Sequence, residues 1–141
     1  YMTEVLNIQP DDKVLEIGTG CGYQTAILTE LTPHIFSIEY HSRLAESAKT
    51  TLLRLGYSTI NIKQGNGFEG WKEFSPYDAI IITCAPEDIP QTLIDQLAEG
   101  GRMILPVGDK YSQDLYLLKK QKDSIHQERL ISVIFVPMLV K

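Results

Sequence analysis

The sequence predicts an α/β fold: a mainly parallel sheet with helices on both faces, finished by an antiparallel pair of strands. Three observations carry this. Short β-rich runs alternate with helical patterns along most of the chain. The run "DAIIIT" (78–83) is almost continuously apolar, as a strand covered on both faces must be. Only "QKDSIHQE" separates the last two β-like segments, too short for a helical crossover, so those two must run antiparallel.

Taken in order, "YMTEVL" (1–6) reads as part of a helix, and "KVLEI" (13–17) is the first strand. "GYQTAILTEL" (22–31) sets Tyr23, Ala26, Ile27, Glu30 and Leu31 at helical spacing, and Pro33 stops it. "HIFSI" (34–38) is the second strand. Ser42 is placed to cap the next helix, whose stripe is Leu44, Ala45, Ala48, Leu52 and Leu55, with Gly56 after its end. "INIKQ" (60–64) is the third strand and "DAIIIT" the fourth. "IPQTLIDQLAEGG" (89–101) reads as a helix with Pro90 near its start and Gly100–Gly101 after its end. "RMILPV" (102–107) is the fifth strand, followed by "DLYLLKK" (114–120) and "RLISVIFVPM" (129–138). Right-handed crossovers then bring the C-terminal ends of the parallel strands together as the ligand-binding edge.

The chain has 141 residues, 43% hydrophobic and 22% charged, which suits one domain over 1–141 with one sizeable core. A net charge of −5 without a basic run argues against nucleic acid as a partner. No apolar run reaches the roughly 18 residues that span a bilayer, and no leader pattern is visible, so no membrane partner is expected. Cys21 and Cys84 make no disulfide framework and are expected as reduced thiols in a cytoplasmic protein. His34, His41 and His126 have no metal-ligand spacing, so no metal is expected. The chain opens on Tyr1 inside a helical pattern, and upstream sequence is expected to be missing.

The chemistry concentrates in "EIGTGCGYQ" (16–24), a loop between strand and helix with glycine at 18, 20 and 22. A dinucleotide fingerprint, G-x-G-x-x-G, would put its third glycine at position 23, where this chain has Tyr23. Glu39, at the end of the second strand, is placed to accept both hydroxyls of a ribose. Glu16 interrupts an apolar strand, where an unpaired carboxylate is costly. It is expected to face the strand's C-terminal mouth and to meet a cation or several donors. A pyrophosphate would repel it, whereas a ligand with an ammonium and a sulfonium would suit it. S-adenosylmethionine, a nucleoside with positive charge and no phosphate, fits both acids.

With these residues in view, "VLEIGTGCGYQTAIL", "SIE", "GNGFEGW", "YDAIIITCAPEDIPQTLIDQLAEGGRMILPVG" and "FVPM" resemble the protein-L-isoaspartate O-methyltransferases, in order and over nearly the whole chain. The resemblance implies a Rossmann-like, doubly wound, mainly parallel seven-stranded sheet with an antiparallel C-terminal hairpin. It implies methyl transfer from S-adenosylmethionine to the α-carboxylate of L-isoaspartyl residues in damaged proteins, whose ester then closes to a succinimide and hydrolyses partly to aspartate. It implies a cofactor site of Glu16, Gly18, Thr19, Gly20 and Gly22 with the ribose acid Glu39. Asn66–Gly67 is expected near the adenine, with Thr83 at the mouth of the fourth strand. It places Val107, Gly108 and Gln113 against the peptide substrate.

Three departures accompany the resemblance. Asn66 stands for the usual aspartate, Leu139 stands where relatives often have a hydroxyl, and the family's N-terminal segment with its serine near the methyl is not in this chain. A truncated, catalytically impaired form is therefore expected, monomeric as in the family or oligomeric through surface left bare by truncation.

A carboxylate acceptor is ionised at neutral pH and needs no base. No catalytic residue is therefore assigned beyond Thr83 as a polar candidate, whose hydroxyl could equally be satisfied by backbone. Three alternatives stand beside this reading. A nicotinamide-dependent oxidoreductase finds a Y-x-x-x-K pair at Tyr116 and Lys120, but in a strand-like stretch. A methyltransferase for another acceptor is the second, although "TCAP" replaces the N/D-P-P-Y of amino-group methylases. The third is a cofactor-binding or oligomerising domain without activity.

Overall fold

The computed structural model describes residues 1–139, so the last two residues of the expected 1–141 domain lie outside the described residues. The chain runs α1 (Met2–Leu6), β1 (Val14–Ile17), α2 (Tyr23–Leu31), β2 (Ile35–Glu39), α3 (Ser42–Arg54), β3 (Asn61–Gln64), β4 (Tyr77–Ile82), α4 (Gln91–Asp95), β5 (Leu97–Gly108), β6 (Gln113–Gln121) and β7 (Ser124–Val133). Two short 3₁₀ turns, Gly67–Glu69 and Lys72–Phe74, lie between β3 and β4. One seven-stranded sheet has the order β3-β2-β1-β4-β5-β6-β7. Its first five strands are parallel, and β6 and β7 are antiparallel to their neighbours. This is the Rossmann-like sheet with a C-terminal hairpin that the sequence led us to expect. No helix among the described residues is long and apolar enough to cross a membrane.

The period of two along each strand builds two cores, one on either face of the sheet. Val14, Ile35, Ala79, Ile81 and Ile104 pack on the face that holds Leu6 of α1 and Leu28 of α2. Leu15, Ile17, Ile38, Ile80, Ile82 and Met103 pack on the other, with Leu93 of α4. The same period sets Glu16 on the Val14 face, beneath α2. Arg102 of β5 locks α1 down: Nε donates to Leu6 O at 2.8 Å, and Nη2 pairs with Asp12 Oδ2 at 2.6 Å.

Several elements differ from the sequence reading. In α2 the buried positions are Thr25 and Leu28, while Tyr23, Glu30 and Leu31 are exposed. The inward face carries a threonine because a buried carboxylate needs a donor there, and apolar periodicity does not register it. His41 rather than Ser42 is the N-cap of α3, and Leu44 and Leu55 of its stripe are exposed.

The helix expected over 89–101 is only Gln91–Asp95. Beyond it the chain is drawn into the sheet: Tyr77 N–H donates to Gln96 O at 2.8 Å, and Leu97 takes up register with Tyr77. The buried Gln96 amide accepts from Trp71 N–H at 2.9 Å and donates to Glu69 O at 2.8 Å. Gly100 and Gly101 therefore lie within β5. Most of the expected link 121–128 is strand, because β6 and β7 meet at a tight turn with Gln121 opposite Ser124. At the other end β7 stops at Val133, and residues 134–139 leave the sheet edge to cross toward Ala85.

Candidate functional site

The site lies at the C-terminal ends of the parallel strands, where β1 gives way to the glycine loop. Gly18 has φ +100°, and a Cβ there would lie 2.6 Å from Thr83 Oγ1, so this position excludes any side chain. Its N–H donates to Ile38 O at 2.8 Å, which stitches the loop to the neighbouring strand. Gly20, at φ +56°, faces open space, and its N–H donates to Glu39 Oε2 at 2.8 Å. Gly22 is the N-cap of α2. The loop is thus held as a bare backbone rim around a cavity of about 650 Å³.

Thr19, Gly20, Tyr23 and Gln24 form one wall of this cavity. Ile38 to His41 and Leu44 form a second, and Gly67, Thr83, Cys84 and residues 136–139 close it. Glu39 is the acid in this wall, and no lysine or arginine stands among the described lining residues. Its carboxylate is nearly buried and is aimed by two backbone donors, Gly20 N–H on Oε2 and His41 N–H on Oε1 at 2.9 Å. Each oxygen keeps a lone pair for a further donor.

Glu16 is not at the mouth. It is fully buried behind the loop, because the strand period turns it under α2. Its Oε2 accepts from Thr25 Oγ1 at 2.5 Å and Ser37 Oγ at 2.6 Å, while Oε1 has no partner. Ser37 Oγ in turn lies 2.6 Å from the hydroxyl of Thr19, a cavity wall residue. Burial pushes the Glu16 carboxyl up to about 7; the Ser37 and Thr25 hydroxyls pull against this, and the charge of Glu39 adds to it. Cys84, at the cavity edge, is pushed up to about 12 by burial and by Glu39, and stays a neutral thiol.

The remaining expected residues divide. Gly67 lines the cavity, whereas Asn66 does not; its Oδ1 caps the following turn by accepting from Phe68 N–H at 3.0 Å. The Thr83 hydroxyl is directed to the backbone carbonyls of Gly18, at 2.9 Å, and Ile17, at 3.1 Å. A second cavity, about 760 Å³, is lined by Phe68, Ile89, Pro90, Gly108, Lys110 and Tyr111 among others. Gly108 and Gln113 border it, while Val107 packs into the core. The buried Gln113 amide is committed to backbone: Nε2 donates to Asp109 O at 2.9 Å and Phe135 O at 3.1 Å, and Oε1 accepts from Phe135 N–H at 2.6 Å. Gln113 thereby pins the segment whose Pro137 and Met138 line both cavities. Lys120 of the Y-x-x-x-K pair donates to Ile94 O and Leu97 O at the end of α4, a structural tie.

Sequence reasoning missed Thr25 and Ser37 as partners of Glu16, Tyr40 and His41 as wall residues, and residues 136–139 as the partition. Ser37 was recoverable, since aligning the two parallel strands sets it opposite Glu16.

The profile of the protein-L-isoaspartate(D-aspartate) O-methyltransferases matches residues 1–141. The chain belongs to this family. Among curated family members, the Picosynechococcus sp. protein-L-isoaspartate O-methyltransferase is 49% identical over 138 residues, covering 98% of the chain and 62% of that protein. The Dictyoglomus thermophilum enzyme of the same name is 50% identical over 137 residues, covering 97% and 62%. The chain thus spans about 62% of the length of these curated relatives. A solved protein-L-isoaspartate O-methyltransferase superposes with a TM-score of 0.89 at 32% identity, over 96% of the chain and 44% of its own. A Plasmodium falciparum structure, described as a complex with S-adenosyl-L-homocysteine, shares the fold at a TM-score of 0.80 and 24% identity, over 98% and 71%.

Proposed function

We propose that the chain binds S-adenosylmethionine in the first cavity and transfers its methyl group to the α-carboxylate of L-isoaspartyl residues in proteins. One observation carries the reading: a carboxylate in the cavity wall and another behind it, with no lysine or arginine among the described lining residues. A pyrophosphate finds no lysine or arginine there, whereas a cationic nucleoside meets two acids. The bare backbone at Gly20 leaves room where a side chain would intrude. Family membership supports the same assignment.

In this reading Glu39 accepts the ribose hydroxyls. Gly18, Thr19, Gly20 and Gly22 shape the loop against the ligand, Gly67 offers close approach on the adenine side, and Asn66 acts by holding that turn. Thr83 fixes the floor through its backbone bonds. Gly108 faces the acceptor in the second cavity, with Val107 and Gln113 behind it as supports. When bound, S-adenosylmethionine supplies an electrophilic methyl on a sulfonium. The acceptor carboxylate is already ionised, so no residue need remove a proton. The protein's contribution is alignment of two cavities that share Pro137 and Met138, an effect worth roughly 7–11 kcal/mol in favourable cases. The reading extends to cytoplasmic repair of isoaspartyl proteins, without a nucleic-acid or membrane partner.

Calorimetry with S-adenosylhomocysteine, followed by a methyl-transfer assay on an isoaspartyl peptide and its aspartyl counterpart, tests it. Binding with methylation of the isoaspartyl peptide alone is expected. Absence of binding would overturn the cavity assignment, and binding without turnover would reduce the chain to a donor-binding domain.

A further inference from the structure

Glu16 is a buried acid that neither wall of the cavity explains. It sits one residue before Ile17 and two before Gly18, both of which line the cavity, yet it has no exposure itself. Both of its hydrogen bonds fall on one oxygen, and the other is enclosed without a donor. A buried carboxylate oxygen in that condition is costly unless a proton or a nearby positive charge relieves it. The elements around it provide no positive charge. From β2 come the Ser37 hydroxyl and, farther along, Glu39, itself an acid; from α2 comes the Thr25 hydroxyl. From β4 comes Ile81 beside it in register, with the neutral Cys84 thiol past the strand end. Neither Glu16 nor Glu39 takes part in an ion pair among the described residues. The hydroxyls form a chain from the acid to the cavity: with the Ser37 proton directed at Glu16, Thr19 donates to Ser37 from the wall. Among the described residues, the site therefore has no positive charge to offset its two acids, and Glu16 is the more deeply enclosed of them.

We infer that Glu16 is a proton-linked selector of the cavity's occupant: its carboxyl keeps its proton more firmly beside a ligand that lacks the sulfonium charge and releases it when a sulfonium enters. This linkage shifts the cavity toward the sulfonium donor, relative to the thioether product that replaces it, as pH rises. No bond to the ligand is involved, and the proton lost by Glu16 passes to solvent. Glu16 acts through the field at the cavity and through Ser37 and Thr19, so it is a positioning residue. The raised proton affinity produced by burial is consistent with a carboxyl poised to respond near neutral pH. The inference rests on the cavity holding S-adenosylmethionine, as proposed above.

The test compares S-adenosylmethionine with S-adenosylhomocysteine by calorimetry from pH 5 to 7.5, each in two buffers of different ionisation enthalpy. The donor is expected to release up to about one proton on binding below neutrality, and the product, which keeps the ammonium but lacks the sulfonium, clearly less. The ratio of donor to product affinity should rise with pH, by at most about tenfold per unit, and level off once the free carboxyl is ionised. A histidine in the same cavity would give a slope of the same sign, and His41 lines it. Glu16→Gln is therefore expected to flatten the ratio and His41→Gln to leave its slope in place. The wild-type proton count keeps the test decisive if Glu16→Gln does not fold. Two ligands that bind with a pH-independent ratio and equal proton release would overturn the inference while leaving the donor cavity standing. A slope that vanishes in His41→Gln and survives in Glu16→Gln would overturn it as well. If neither ligand binds, the donor-cavity reading itself has failed.

Discussion

Glu39 and Glu16 carry one kind of side chain and do opposite things. Glu39 is satisfied by two backbone N–H groups and still presents lone pairs to the cavity. Truncating it to alanine would remove the ligand contact and also take the acceptor from the Gly20 and His41 N–H groups. Glu39→Gln is the cleaner probe, since its oxygen keeps one of the two loop bonds. Loss of S-adenosylhomocysteine binding of tenfold or more is expected by calorimetry, with the far-UV circular dichroism unchanged. Glu16 instead affects stability through its proton. Its carboxyl is pushed up from 4.5 to about 7, mainly by burial, so the folded chain holds a proton there that the unfolded chain has lost. That contribution is fully present below pH 4.5 and declines as pH rises through about 7. The change is on the order of 3 kcal/mol. Urea midpoints measured from pH 4.5 to 8 should fall along this course in the wild type, and Glu16→Gln should remove that component.

At the level of elements, the site depends on segments that are not themselves regular. The stretch 134–139 follows the last strand, and Gln113 and Ala85 fasten it across the ends of the parallel strands. Gln113→Leu leaves the Phe135 N–H without its acceptor and frees the loop at Asp109. A loss of about 1–3 kcal/mol is expected. Amide exchange should accelerate at Phe135 and Met138 while β1 and β4 stay protected; uniform acceleration would mean that Gln113 supports the whole sheet instead. The sequence placed the parallel strands well because burial on both faces writes an apolar run. It overextended α4, where Gln96 is a buried polar anchor whose partners, Glu69 and Trp71, lie far away in the chain. It named Gln113 as a substrate contact; the residue borders the second cavity, but the motif did not show which backbone its amide holds.

For the whole molecule, a ligand that binds only the folded chain stabilises it by mass action, about 2.7 kcal/mol at one hundred times its Kd. S-adenosylhomocysteine should raise the melting temperature in a concentration-dependent way and NAD should not; the reverse would restore the dinucleotide reading. The sequence by itself determined the alternation of strands and helices, the antiparallel finish, the glycine loop and the identity of the two acids, because these are written in local pattern and backbone permission. Only the tertiary structure decided what each acid faces. The strand period and the helix above it turn Glu16 inward, while Glu39, at a strand end, is left beside the open cavity. The side chains that neutralise or fail to neutralise a buried charge come from other strands and helices, so their supply is a property of packing, and local sequence cannot state it.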